Sequence, residues 1–361
     1  MLSLSKQSLS KHPELAQLRG VFFGTSAFAV PALRAFAAAL DCKLVVTQPA
    51  RPAGRGHKLQ PTPVALAARE LGIPALTPER LRDALEPLRA AGAELFAVAS
   101  YGKIVPRAIL DLPALGALNV HPSLLPLYRG ATPLQAQLRD GVAEGGVTII
   151  AMDAGMDTGD IVLQEKSPIG PAETWGELHD RFALLGARLL ASACALAAAG
   201  ELTRTPQAGL AGAAEIARTL TRPLTKDDLR VAGAGRPTAA GIVNLVRSLS
   251  PEPGARADLP GFGSAKILAA HALAGEGPAV RRGVGEAVLT RGGPLLRASD
   301  GWVVADRLVP PGRRPMTGAE FAAGLRPAPA LRQEREEEAA ELERWWEAHG
   351  RGALDAEAVA R

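Results

Sequence analysis

The sequence predicts an α/β protein with two domains. A doubly wound, Rossmann-like domain of largely parallel strands precedes a small β-barrel of OB-like type. Three observations carry this reading. Short apolar runs of strand type alternate with helix-spaced apolar patterns across residues 20–205, the order that builds a parallel sheet covered by helices. That periodicity lapses over residues 206–224, which read as a linker. From residue 225 to 327 the apolar runs become short and are punctuated by Gly and Pro, as in a small barrel or sandwich. A chain of 361 residues exceeds what one core usually organises, and 47% apolar with 22% charged residues marks it as globular.

The elements follow in order. "VFFGTSAFAVPALRAFAAAL" opens as a buried strand, turns at Gly24-Thr25-Ser26 and continues as a helix. "CKLVVTQ" is a second strand, "TPVALAARELG" a helix ended by Gly72, "ELFAVASYG" a third strand and "PRAILDLP" a short helix. "ALNVHPSLLP" supplies another strand, and "GVTIIAMDAGMDTGDIVLQEKSPI" reads as two strands around a Gly- and Asp-rich turn. "TWGELHDRFALLGARLLASACALAAAG" is a long amphipathic helix closing at Gly200. In the second domain "PTAAGIVNLVRSL" is a helix, and "SAKILAAHAL", "GEAVLTR", "PLLRAS" and "GWVVADRLV" are strands.

The two ends read as extensions. Residues 1–19 carry Lys and Ser but lack the apolar segment of a signal peptide, and no uncharged apolar run reaches the roughly 18 residues of a membrane span. Residues 328–361, with "EREEEAAELERWWEAHG", read as a solvated, charged helix bearing a Trp pair. Cys42 and Cys194 stand in separate apolar stretches, which suggests neither a disulfide framework nor a metal cluster and fits a cytoplasmic location. The net charge of +4 conceals a division. Residues 1–200 hold 19 basic and 17 acidic side chains, residues 201–330 hold 17 and 11, and residues 331–361 hold 5 and 9. A basic second domain suits a polyanionic partner as well as a solvated surface.

Chemistry concentrates in "NVHPSLLPLYRG", residues 119–130. Asn119 and His121 alternate along a strand, so both side chains point to one face. An amide donor beside an imidazole is the minimum equipment for acyl transfer, since the amide polarises a carbonyl while the imidazole moves a proton. A carboxylate partner is available in "MDAGMDTGD" as Asp153, Asp157 or Asp160, although the same residues also suit a tight turn. Proline on both sides of Ser-Leu-Leu fixes an extended loop, expected to expose backbone amides and carbonyls to a flat heterocycle. There is no Gly-x-Ser-x-Gly elbow, no Walker loop, no dinucleotide fingerprint and no zinc-like spacing among the six His, so covalent, ATP, NAD and metal routes find no support.

These residues resemble the folate-dependent formyltransferase superfamily. "NVHPSLLPLYRG" followed by "DAGMDTGD" matches its catalytic pattern. "TQPARPAGRGHKLQPTPV", "YGKIVP", "TIIAMDAGMDTGDI" and "LTKDD" are similar to segments of its methionyl-tRNA formyltransferase branch. The resemblance spans about residues 20–326. It implies a catalytic triad of Asn119, which holds the formyl oxygen, His121, which shuttles the proton, and Asp157. It also implies a folate site lined by Ser123, Leu124, Leu125 and Pro126, and a loop with Arg51, Arg55 and Lys58 that enters the acceptor-stem groove of tRNA. The implied formyl donor is 10-formyltetrahydrofolate, with tetrahydrofolate as leaving group and no metal. The implied acceptor is the α-amine of initiator methionyl-tRNA, giving N-formylmethionyl-tRNA for translation initiation by direct attack on the formyl carbon. A cytoplasmic monomer without membrane contact is the expected form. The sequence departs from the pattern at Ala50, where the branch has Asp, and in "LTKDDLRVAGAG" and "LSPEPGARADL", which lack the branch's aromatic landmarks. Relatives that formylate an amino sugar nucleotide or glycinamide ribonucleotide share the catalytic pattern, but the Arg-rich loop and basic second domain favour tRNA.

Overall fold

A computed structural model describes residues 18–53, 58–233, 237–324 and 336–353. Contacts divide the chain into two units. The first comprises residues up to 133 with 144–168 and 178–222, and the second comprises 134–143, 169–177 and 223 onward.

In the first unit, β1 (Arg19–Gly24) leads into α1 (Ala29–Ala39), and β2 (Asp41–Val46) is followed by a hairpin of β3 (Arg51–Ala53) and β4 (Lys58–Gln60). Then come α2 (Pro63–Glu70), β5 (Ala75–Leu76), α3 (Leu85–Ala90), β6 (Leu95–Ala99), α4 (Arg107–Leu110) and β7 (Ala117–His121). The hairpin pairs Arg51 with Gln60 and Pro52 with Leu59, so the Arg-rich loop begins as strand. Its middle, including Arg55, lies outside the described residues. After α5 (Pro133–Asp140), which belongs to the second unit from Leu134 on, β8 (Glu144–Ala151) and β9 (Ile161–Pro168) form an antiparallel pair of the first unit, and α6 (Trp175–Ala198) follows, in the first unit from Leu178 on.

The seven strands run in the order β5-β2-β1-β6-β7-β8-β9, parallel from β5 to β7 and antiparallel beyond. Val21, Phe22, Phe23 and all of β6 are buried, as expected for strands covered on both faces. Chain order reverses between β1 and β6, and ligands of such sheets bind outside the strand carboxyl ends. There the Thr25 hydroxyl donates to the Tyr101 carbonyl at 2.8 Å. By length and composition α6 could cross a membrane, yet Leu178, Phe182, Leu189 and Leu190 on it are buried in the protein. Gly186 on α6 lets the helix close on β7, since a Cβ there would stand 2.5 Å from Val120 Cγ1.

The segment expected as a linker is built into the first unit. Thr205 bridges to Ile161, α7 (Ala213–Thr219) follows, and Thr221 bridges to Gly130. Lack of apolar periodicity conceals this because the segment is held by backbone hydrogen bonds more than by an apolar face.

The second unit contains α8 (Ala239–Leu249), β10 (Ala255–Leu259), β11 (Gly263–Ala272), β12 (Ala287–Thr290), β13 (Gly293–Arg297), β14 (Trp302–Val309), β15 (Met316–Thr317), α9 (Gly318–Ala323) and α10 (Glu336–Ala353). Its antiparallel sheet has the order β10-β11-β14-β13-β12, with β15 on β14. Irregular register at Ile267, Ala269 and Ala270 bends β11, and the edge strands β10 and β12 approach each other, as in a half-barrel. Ile242, Val246 and Leu249 of α8 fill its core with Ile267, Leu296 and Leu308.

The tail helix departs from the expected solvated form. Leu342, Trp345 and Trp346 of α10 make an apolar stripe that packs on Val288, Leu295, Trp302 and Val304, and the Trp345 indole donates to the Glu276 carbonyl at 2.9 Å. Glu338 and Glu343 pair with Arg282 and Arg291. The spacing i, i+3, i+4 marks a buried stripe even among charges.

Candidate active site

The site grows from the carboxyl end of β7. Asn119 and His121 face one side of the strand, and the loop after β8 brings Asp157 to both. The Asn119 amide donates to Asp157 Oδ1 at 3.4 Å, and His121 Nδ1 lies 3.6 Å from the same oxygen. Asp157 Oδ2 accepts the Gly130 N–H at 2.8 Å. The loop after β7 is thereby bonded to the loop after β8. A Cβ at Gly130 would stand 2.1 Å from the Thr221 carbonyl, and its φ of +110° is one that L side chains rarely adopt, so this approach requires glycine.

His121 is 4% exposed, and its Nε2 lies 2.9 Å from the Tyr128 carbonyl. A carbonyl only accepts, so Nε2 carries hydrogen and the neutral ring keeps its lone pair on Nδ1, beside Asp157. Two non-glycine residues with left-handed backbone flank this imidazole, Tyr128 at φ 58° and Asp157 at φ 55°. Such conformations cost about 1–3 kcal/mol each and persist where surrounding bonds over-determine them.

Of the three candidate carboxylates, Asp157 is the one that meets Asn119 and His121. Asp153 caps its own turn, accepting from the Gly155 N–H at 3.0 Å and the Thr158 hydroxyl at 2.7 Å. The ordinary turn reading therefore holds for Asp153 and not for Asp157.

The Ser123–Pro126 turn differs from the open loop expected. Ser123 is fully buried, its hydroxyl donates to the Leu127 carbonyl at 2.7 Å, and its carbonyl accepts from Thr148 Oγ1 at 2.6 Å. The Leu125 N–H donates to Thr148 Oγ1 at 3.2 Å, and its carbonyl accepts from Gln164 at 3.0 Å. Leu125 packs against Ile150 and Ile161. Pro126 is buried too, while Leu124 remains half-buried. A buried turn must satisfy its peptide groups inside the protein, so the expected exposure of these amides and carbonyls gives way to Thr148 and Gln164. Neither residue carried a signal in the sequence.

Arg51, by contrast, is exposed. Its guanidinium donates to Gln48 Oε1 at 2.6 Å, and Gln48 Nε2 donates to the Tyr101 carbonyl at 2.8 Å, which ties the Arg-rich hairpin to the strand ends where chain order reverses. Burial pushes the thiols of Cys42 and Cys194 up to about 12, away from nucleophilic use. Among the described residues, no group of three or more His, Cys, Asp or Glu is arranged to hold a metal ion.

Comparison with known proteins gives the family and the fold. The formyl transferase family model matches residues 21–194, and the model of the formyl transferase C-terminal domain matches residues 226–326. The chain resembles the solved N-formyltransferase from Helicobacter canadensis, determined with folinic acid and dTDP-3-aminofucose. That match has a TM-score of 0.55 and 17% identity, covering 80% of this chain and 99% of that one, and it shows the fold. Fold and family models together define a formyltransferase. A methionyl-tRNA formyltransferase from Syntrophus aciditrophicus is 40% identical over 313 residues, covering 86% of this chain and 97% of the relative. One from Halorhodospira halophila is 41% identical over 315 residues, covering 86% and 97%. The chain belongs to the methionyl-tRNA formyltransferase family.

Proposed function

We propose that the protein transfers the formyl group of 10-formyltetrahydrofolate to the α-amine of initiator methionyl-tRNA, forming N-formylmethionyl-tRNA and tetrahydrofolate. The observation that carries the chemistry is the convergence of Asn119 and His121 on one carboxylate oxygen of Asp157. In this reading the Asn119 amide holds the formyl oxygen as it becomes an oxyanion. His121 Nδ1, the lone-pair nitrogen, takes a proton from the attacking amine, and Asp157 beside it stabilises the imidazolium. The same proton can then pass to the departing folate nitrogen, so one imidazole serves both halves of the reaction. Cys194 is buried and Cys42 half-buried, both outside this cluster, consistent with direct attack and no acyl-enzyme.

Ser123 to Pro126 form one wall of the folate site in this reading. Their contribution is shape, with Leu124 supplying apolar surface and the internally bonded turn holding it rigid. Arg51, Arg55 and Lys58 meet the acceptor stem of tRNA, and the basic second domain takes phosphates. Phosphate contacts need charge more than a fixed sequence, so the missing aromatic landmarks do not oppose that role. All three triad residues come from one chain, so a monomer suffices, and charged initiator tRNA places the reaction in the cytoplasm. No metal takes part in this scheme.

The test is transfer of labelled formyl from 10-formyltetrahydrofolate, comparing methionyl-tRNA with free methionine and a sugar-nucleotide amine. Labelled formylmethionyl-tRNA is the expected product. Transfer to either small amine with none to methionyl-tRNA refutes the reading.

A further inference from the structure

Gln207 lies between the two family-model matches, in the segment that reads as a linker. It is nevertheless 4% exposed and uses both ends of its amide. Nε2 donates to the Asp157 carbonyl at 2.9 Å and to the Gly159 carbonyl at 2.7 Å. Oε1 accepts from Arg129 Nη2 at 2.6 Å and from Nε at 3.1 Å. Two carbonyls on one side and a guanidinium on the other fix which end is nitrogen.

These partners lie on both sides of His121. Arg129 stands between Tyr128, whose carbonyl holds His121 Nε2, and Gly130, whose N–H holds Asp157 Oδ2. Asp157 and Gly159 belong to the opposite loop. Thr221 fastens the same strap again, with its N–H 2.8 Å and its hydroxyl 3.0 Å from the Arg129 carbonyl. The left-handed backbone of Tyr128 and Asp157 needs such external fixing.

We propose that Gln207 is a positioning residue that clamps the 128–130 and 157–159 loops together and thereby sets where the Asp157 carboxylate stands relative to His121 and Asn119. This rests on the formyl-transfer reading for its kinetic consequence, but its structural consequence is independent of it. Glutamate at this position would keep the pair with Arg129 yet could not donate to either carbonyl. Methionine would keep the volume and lose both functions.

The test uses the full chain. In Gln207→Met, and in Gln207→Glu should the first variant fold poorly, amide exchange at Gly130 N–H is expected to quicken at least tenfold while exchange along β7 stays unchanged. Formylation kcat falls by about tenfold to a hundredfold, as loss of alignment by an ångström can cost, with KM for either substrate within about twofold. In an Asp157→Asn background the same substitution costs less than about twofold, because a residue acting through Asp157 has nothing left to position. Unchanged Gly130 exchange, or an equal loss of kcat in both backgrounds, overturns the proposal. A parent enzyme that leaves methionyl-tRNA unformylated would overturn the functional reading, while Gly130 exchange still decides the role of Gln207.

Discussion

Replacing Asn119 by alanine separates catalysis from stability. The contact it removes from the resting protein, to Asp157 Oδ1 at 3.4 Å, is longer than the usual range of about 2.7–3.2 Å. Its loss leaves Asp157 Oδ2 with the Gly130 N–H at 2.8 Å, so no buried carboxylate is left without a donor. Asn119→Ala should therefore cost under about 1 kcal/mol of stability. The transition state loses more. An oxyanion donor in such a site contributes about 3–4 kcal/mol, which corresponds to a fall in kcat of about two to three orders of magnitude. Aspartate is no substitute despite its shape, because a second carboxylate would face Asp157 and repel the oxyanion. The assay is single-turnover formylation of methionyl-tRNA at saturating folate donor, with a thermal melt run beside it. Formylation at the parental rate by Asn119→Ala, or a rate loss explained by the unfolded fraction, refutes the assignment of Asn119.

Arg51→Gln should raise KM for methionyl-tRNA several-fold, leave KM for the folate donor unchanged and lower the salt slope of tRNA binding by about one. Equal effects on both substrates would place Arg51 elsewhere in the reaction. Because burial raises the Cys42 and Cys194 thiols to about 12, the reactive thiolate is scarce at pH 8. A thiol-disulfide reagent should then leave formylation intact and titrate both cysteines only after guanidinium unfolding. Rapid inactivation of the native protein would contradict that. Trp345→Ala should release α10 at a local cost of about 3–5 kcal/mol. Faster proteolysis within α10, with the melt of the first unit unchanged, is the expected result; unchanged protection would show that the stripe does not hold the helix.

Much of the fold was legible because burial imposes period. The strands of the parallel sheet appear as apolar runs, α6 as a helical stripe, and the strands β11 to β14 of the second unit as Gly- and Pro-bounded runs. Elements too short to show a period escaped, among them β5, the β3–β4 hairpin and β10, whose "ARADL" alternates only weakly. Helix α7 and the strap around Gln207 escaped for a different reason. Hydrogen bonds between segments 50 residues apart leave no local pattern. The charged tail misled for the opposite cause, since its many glutamates outweigh a three-residue apolar stripe that only a helix aligns.

The sequence by itself determined that an amide and an imidazole stand together at a strand end. An amide and an imidazole two residues apart on a strand share a face by strand geometry alone, and resemblance named the third member. Tertiary structure decided everything that depends on distance between separate segments. It brought the Asp157 carboxylate beside Asn119 and His121, turned the Ser123–Pro126 peptide groups inward to Thr148 and Gln164, set His121 Nε2 against the Tyr128 carbonyl, and bonded Gln207 to both loops. The physical reason is that local sequence sets which way a side chain points, whereas which polar group satisfies which is settled only when loops from distant positions are buried together and each buried donor and acceptor must find a partner.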